Sequence, residues 1–369
     1  MNQLFRWDQM GLFLLALAAG ILPFAMPEVC AAALREGLTL CSGPLLLSLF
    51  PFLVVSRLLI QCPESDLLAL PFRLAAWGIG IRTPCAARVL CIGFLGGFAP
   101  AASAAAQAVR TGQLTVEEAD ALLPACICSG PSFVVLTVGQ SLLGSAELGV
   151  LLFASQITAN YLTAALLNRF AGVRSAKPGS AVPAFPAPPR LDEILADAAI
   201  TYCKLCGFIL FFRMLAAGAG ALLPAGAGTL CAILLEVCSG CDLASRTGRW
   251  GSLLCCAALS VQGLSVLLQV RTICPPEMTL RPLYRARMLH LPLSLALFYL
   301  LLPGGETDVF STLSARVLLM RRVPPDCALL VFAVCCMAAC TLRSGIRQVE
   351  QKQMARNAGG CCINSKTLL

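Results

Sequence analysis

Charge is scarce in this chain: Asp, Glu, Lys and Arg make up 12% of its 369 residues, where a soluble globular domain carries roughly a quarter. So little polar surface cannot clothe a water-facing protein of this size. Histidine is scarcer still, with His290 alone. That argues against acid–base or metal-dependent catalysis, because histidine titrates near neutral pH and is the commonest metal ligand. No G-x-x-x-x-G-K-[ST] run exists to cradle a nucleotide phosphate, no G-x-S-x-G turn to present a nucleophile, and no H-E-x-x-H pair to hold zinc. No basic stripe interleaved with aromatics is present to grip nucleic acid. These absences point to a protein that is not an enzyme, with no catalytic residue, no metal, no cofactor and no nucleic-acid partner.

What is abundant is apolar. Hydrophobic residues make up 58% of the chain and the mean hydropathy is +0.82. They come in runs rather than in one-faced helical stripes, which is the membrane pattern. The expected fold is all-α: a polytopic helical membrane protein of about 8–10 membrane segments, with the lipid bilayer as its first partner. The formal net charge of +8 comes from Lys and Arg dispersed through connections and the C-terminal tail, as retention of positive charge on the cytoplasmic side requires. Of the 21 cysteines, many sit inside apolar runs, among them Cys231, Cys255, Cys256, Cys335, Cys336 and Cys340, where cysteine behaves as a small hydrophobe. Two C-x-x-C spacings, Cys203 with Cys206 and Cys238 with Cys241, lie in or beside such runs.

Along the chain, apolar segments are expected at 11–26 (an uncleaved first helix rather than a signal peptide), 38–60, 86–109, 126–143 and 148–167. Between the third and fourth, Thr115 and Glu118 have the spacing of a capping box that starts a helix bearing Glu117 and Asp120. A Pro/Ala-rich linker at 171–190 separates a half at 1–170 from one at 191–342. In the second half an amphipathic stretch at 191–200 leads into apolar segments at 206–223, 228–237, 253–270, 288–302 and 328–342, followed by a basic tail at 343–369.

A helix that only anchors should be unbroken. Here Gly, Pro and Ser interrupt apolar flanks at 93–100 and 129–131 in the first half, and at 236–242 and 262–263 in the second. Irregular backbone in hydrocarbon leaves N–H and C=O groups without partners, at several kcal/mol each, unless protein or a wet cavity supplies them. Interrupted segments paired between two halves are therefore a pointer to a transporter substrate site; close helix packing through glycine is the plainer alternative. Candidate substrate-binding residues are Gly96, Gly97, Phe98, Pro100, Ser129, Gly130, Pro131, Glu236, Ser239, Gly240, Gln262 and Gly263. Glu236 and Arg213 are ionisable within apolar runs and make a candidate coupling or ion-pair site. Gln269, Gln140 and Asn160 can bridge helices, and His290 fits a packed neutral imidazole.

The order of motifs is similar to that of a known family. Gly93-Phe94-Leu95-Gly96-Gly97-Phe98, Glu117-Glu118-Ala119 and Ser129-Gly130-Pro131-Ser132-Phe133 resemble the G-F-L-S-G-Y hairpin, the K-E-E-A helix and the N-N-S-G-P-L-F hairpin of the YlbJ/SpoVV sporulation integral membrane proteins. Gly207-Phe208-Ile209, Leu235-Glu236-Val237 with Gly240, Gly263-Leu264-Ser265-Val266 with Gln269, and Arg287 with His290 continue the resemblance through the second half. It implies a nucleoside-transporter-like Gate domain repeated in the two halves. It also implies a secondary transporter or facilitator of a small anionic or heterocyclic solute, dipicolinic acid or a nucleoside-like molecule, during sporulation. The membrane it implies is the bacterial cell membrane, in particular the outer forespore membrane. A coupling ion and a homo-oligomer fit that class. The chain departs from the family at the first hairpin, where Gly96, Phe98 and Ser103 stand for Ser, Tyr and Lys, and before Ser129, where Ile127-Cys128 replaces two asparagines. The alternative function is a non-transporting membrane scaffold or assembly factor for the spore envelope.

Overall fold

The computed structural model describes residues 2–61, 65–172 and 191–302, and every regular element among them is helical. Helices α1 (Asn2–Ala25) and α2 (Pro27–Ser42) meet at a 109° bend. Helix α3 (Pro44–Gln61) follows, with the short α4 (Ser65–Leu68) and α5 (Leu70–Gly78) after it. The continuous segment expected at 38–60 is thus two helices. Apolarity runs through the junction, but Gly43 ends α2 and Pro44 starts α3, because proline lacks an N–H and suits a first turn.

The rest of the described chain repeats one pattern. Helices α6 (Pro84–Gly96) and α7 (Phe98–Arg110) fold back on each other, and a Cβ on Gly93 would sit 3.2 Å from that of Ala101. A broken helix comes next: α8 (Val116–Cys126) and then a π-helix (Ser132–Leu142). The long α9 (Ala146–Ala171) closes the set. After α10 (Leu191–Leu222) the same order returns. Helices α11 (Ala225–Leu235) and α12 (Val237–Ser245) form a hairpin, α13 (Gly251–Val261) and α14 (Gly263–Ile273) a broken helix, and α15 (Arg281–Leu301) the long closing helix, packed against α9. The hairpins open toward opposite ends. The base of the first, at Arg110, shares a recess with Asp197 and Lys204 of the first half of α10, whereas a Cβ on Gly228 in the second would sit 3.1 Å from the Gly220 Cα near the finish of α10.

Three apolar stretches are long enough to cross a bilayer: Ala146–Ala171, Leu191–Leu222 and Gly248–Ile273, the last joining α13 and α14; the bent α1–α2 pair makes a fourth if counted as one span. At 1.5 Å per residue, 26 residues reach about 39 Å against a hydrocarbon core of about 30 Å. Leu49–Ile60, Pro84–Gly96, Ser132–Leu142 and Ala225–Leu235 are apolar but shorter, as half-crossing pieces should be. Large apolar side chains face outward, among them Phe24, Phe170, Met288 and Leu300. A soluble protein would bury them; lipid need not. The chain is an all-helical integral membrane protein. Residues 173–190 of the linker, the segment at 328–342 and the tail lie outside the described residues.

Helix α8 starts at the capping box legible in the sequence: Glu118 N–H donates to Thr115 Oγ1 at 3.1 Å and Thr115 N–H to Glu118 Oε2 at 3.2 Å. One turn on, the buried Asp120 ties this helix to the approach to α15. Its Oδ2 accepts from the Thr279 N–H at 2.9 Å and hydroxyl at 2.7 Å, and its Oδ1 accepts from the Leu280 N–H at 3.3 Å. Asp120→Ala is expected to destabilise the protein by about 1.5–3 kcal/mol, the cost of leaving buried donors unmatched. A thermal melt in detergent measures it; an unchanged midpoint would show that solvent satisfies these groups.

Candidate functional site

The first and third interruptions are narrower than their sequence signals, the second is wider than the 129–131 signal, and the fourth matches its signal. The first reduces to Gly97 (φ 82°, ψ −162°) between α6 and α7, with Gly93 inside α6. The second spans 127–131, between α8 and the π-helix. The third is Glu236 alone. Ser239 and Gly240, expected in irregular backbone, are helical in α12, because Glu236 caps that helix and lets it start at once. The fourth is Gln262-Gly263, both with positive φ (62° and 71°).

These breaks meet. A Cβ on Gly97 would lie 2.6 Å from the Gly130 backbone nitrogen, and one on Gly263 would lie 2.9 Å from that of Glu236. Each hairpin tip therefore touches the broken helix of its own repeat, backbone against backbone. Gln262 Nε2 crosses between the repeats to the Ile127 carbonyl at 3.5 Å. Around the meeting point lies a cavity lined by Gly96, Phe98, Ser129, Gly130, Glu236 and Gln269, with Ser132, Phe133, Val237, Cys238 and Val266 between them and Leu45, Leu49 and Ile209 closing one side. About 40 Å³ of it is reachable by the centre of a water-sized sphere, room for about three waters.

Helix starts dominate this cavity. Phe98, Ser132, Val237 and Val266 belong to the first turns of α7, the π-helix, α12 and α14. The opening N–H groups of a helix lack internal partners and carry about half a positive charge. No side chain caps α7, the π-helix or α14. Only α12 supplies its own anion. Glu236 Oε1 accepts from the Cys238 N–H at 2.8 Å, and Oε2 accepts from the Ser239 N–H at 2.7 Å and hydroxyl at 2.9 Å.

That arrangement overturns the expected Glu236–Arg213 ion pair. Both carboxylate oxygens are held by the start of α12, and Arg213 Nη2 instead pairs with Glu36 Oε2 on α2 at 2.7 Å. Of the candidate residues, Gly96, Gly97, Phe98, Ser129, Gly130, Glu236 and Gly263 gather at the tips. Pro100 packs over Gly96, and Gly240 packs on Ile233 inside the second hairpin. Pro131 starts the π-helix and Ser239 serves Glu236. These four do not line the cavity.

Behind the cavity runs a polar seam whose importance the residues alone did not show. Arg287 of α15 is buried, and it donates from Nη2 to the Ile127 carbonyl at 2.8 Å and from Nη1 to the Ser260 carbonyl at 3.3 Å. Those carbonyls belong to the ends of α8 and α13, the first half of each broken helix, so one cation serves two negative helix ends. Gln156 Nε2 donates to Ser260 Oγ at 3.0 Å, and Ser260 Oγ shares a 2.5 Å hydrogen bond with Ser294 Oγ. His290 Nε2, 3.2 Å from the Gln156 carbonyl, acts as its donor, a packed imidazole of the kind expected. The signal that could have found Arg287 was its position near the start of an apolar helix without an acidic neighbour. Cys203 and Cys206 lie on α10, Cys238 and Cys241 on α12; among the described residues no group of three or more His, Cys, Asp or Glu is placed to hold a metal ion. No family model, no curated protein and no solved structure matches the chain.

Proposed function

We propose that the protein is a secondary transporter or facilitator of a small anionic or heterocyclic solute. The observation that carries this reading is the meeting of two hairpin tips with two broken helices, which leaves three uncapped helix starts at one cavity. Backbone N–H groups aimed at a common point bind anions without any basic side chain. The oppositely opening hairpins suit alternating access, with each tip serving as the gate toward one side. The resemblance to YlbJ/SpoVV proteins supports the same class, and with it dipicolinate or a nucleoside-like solute, a coupling ion and the outer forespore membrane. The small cavity fits a closed state between two open ones. It also favours the rival scaffold reading, in which no solute enters.

Uptake of labelled dipicolinate and of uridine into proteoliposomes tests this. Glu236→Gln places an amide NH₂ where a carboxylate oxygen accepts N–H donors, so uptake is expected to fall by about tenfold or more, the value of one charge-assisted hydrogen bond. Gly130→Leu fills the cavity wall and is expected to abolish it. Normal insertion with uptake lost in both variants supports the carrier. A wild type that moves neither solute leaves the scaffold.

A further inference from the structure

A second recess lies beside the first on the same helices. Its lining carries Arg57 of α3, Arg110 of α7 and Lys204 of α10, with Asp197 the one carboxylate and Ser103 and Thr201 adding hydroxyls. Its volume is about 180 Å³, several times the 40 Å³ of the tip cavity. Asp197 is committed to Arg57, at 2.6 Å. Among the described residues Arg110 and Lys204 have no carboxylate within ion-pair reach. The C-terminal turns of α7 and α14 reach this recess and offset part of the positive charge, but neither base hydrogen-bonds to their carbonyls.

The wall between the two spaces is apolar and tightly closed. Leu53, Ala99, Tyr202 and Leu205 form a buried cluster, packed on by Leu49, Phe98 and Ile273. Leu49 and Phe98 face the tip cavity, while Leu205 and Ile273 face the recess. One apolar cluster therefore lies between them, and Phe98 belongs to the first hairpin tip.

We infer that the Arg57–Arg110–Lys204 recess is an outer vestibule that binds a small carboxylate or phosphate anion, separated from the tip cavity by one apolar cluster. The ordering of cationic recess, apolar plug and ring of helix starts concentrates an anion before the plug opens, because a basic concavity raises the local concentration of the opposite charge. Its role as an antechamber rests on the transporter reading; its anion binding does not.

Inorganic phosphate is the probe. The full chain in detergent is melted across a phosphate series at constant ionic strength, for wild type, Lys204→Gln, and Arg110→Gln with Lys204→Gln. Phosphate is expected to raise the wild-type midpoint, with apparent affinity weakened about tenfold or more in the double variant and the phosphate-free midpoint unchanged. The exposed Lys204 tolerates substitution by itself, so the single variant answers if the double one misfolds. Equal shifts in wild type and variants, or no shift in wild type, overturn the inference. So does a shift that only phosphatidylglycerol produces, since the recess would then hold a lipid headgroup. A wild type that binds phosphate here yet takes up no solute sinks the carrier reading and the antechamber role with it, and leaves the anion site standing.

Discussion

Arg287→Met is expected to lower the stability of the protein by about 3–5 kcal/mol, two charge-assisted hydrogen bonds lost from a buried site. The reason lies in the broken helices. In an unbroken helix the Ile127 carbonyl would accept from the residue four places on, but that residue is Pro131, which has no N–H. The Ser260 carbonyl precedes two residues of positive φ, Gln262 and Gly263, which turn the following backbone out of register. No backbone N–H among the described residues reaches either oxygen. Arg287 donates to both from one planar guanidinium, Gln262 Nε2 reaches the Ile127 carbonyl only at 3.5 Å, and methionine, close to arginine in length, donates to neither. In lipid no water replaces them. Arg287→Lys keeps the charge but not the fork, and should recover less than half of the loss. The readout is the thermal midpoint and the yield of monodisperse protein. An Arg287→Met protein that melts with wild type would mean that these carbonyls are hydrated, and that the seam is wet rather than braced.

Gly97→Ala and Gly263→Ala should each cost uptake by about tenfold or more, together with about 1–3 kcal/mol of stability from backbone strain. At Gly97 the backbone has φ 82° and ψ −162°, a region essentially restricted to glycine. An added Cβ also meets the Gly130 nitrogen at 2.6 Å, a distance that real Cβ contacts do not show. Relief requires the first tip to retreat from the second break, which widens the cavity that the tips enclose. At Gly263, φ is 71° and the Cβ meets Leu235 and Glu236 backbone atoms at 2.9 Å, so the retreat falls on the second tip and disturbs the carboxylate that caps α12. Gly207→Ala is the control, since nothing lies within 4 Å of a Cβ there and alanine favours the helix. Wild-type uptake in both tip variants would show that the tips are struts rather than gates.

Much of this site is visible in the linear chain, and the parts that are not share a cause. The capping box at Thr115 and Glu118 and the positions of all four interruptions were legible because they are local. A proline without an N–H, a glycine able to reach positive φ, and a threonine three residues before a glutamate act within one turn of their own backbone. The width of the interruptions was harder. Ser239-Gly240 looks as disruptive as Gln262-Gly263, but Glu236 restarts the helix so efficiently that α12 runs through both. The partner of Arg213 was not legible at all. Glu236 is near in sequence and opposite in charge, whereas Glu36, the residue it actually bonds, is 177 positions away.

The amino-acid sequence by itself determined that this is a helical membrane protein and where its four main interruptions fall, because solvent class depends on composition and helix termination on residues within a few places of the break. Only the tertiary structure decided which breaks touch, which helix ends stay uncapped, and that Arg287 braces both broken helices at once. Those outcomes depend on contacts between residues 27 to 160 positions apart, and a folded chain sets such contacts by the packing of whole helices, which no local pattern encodes.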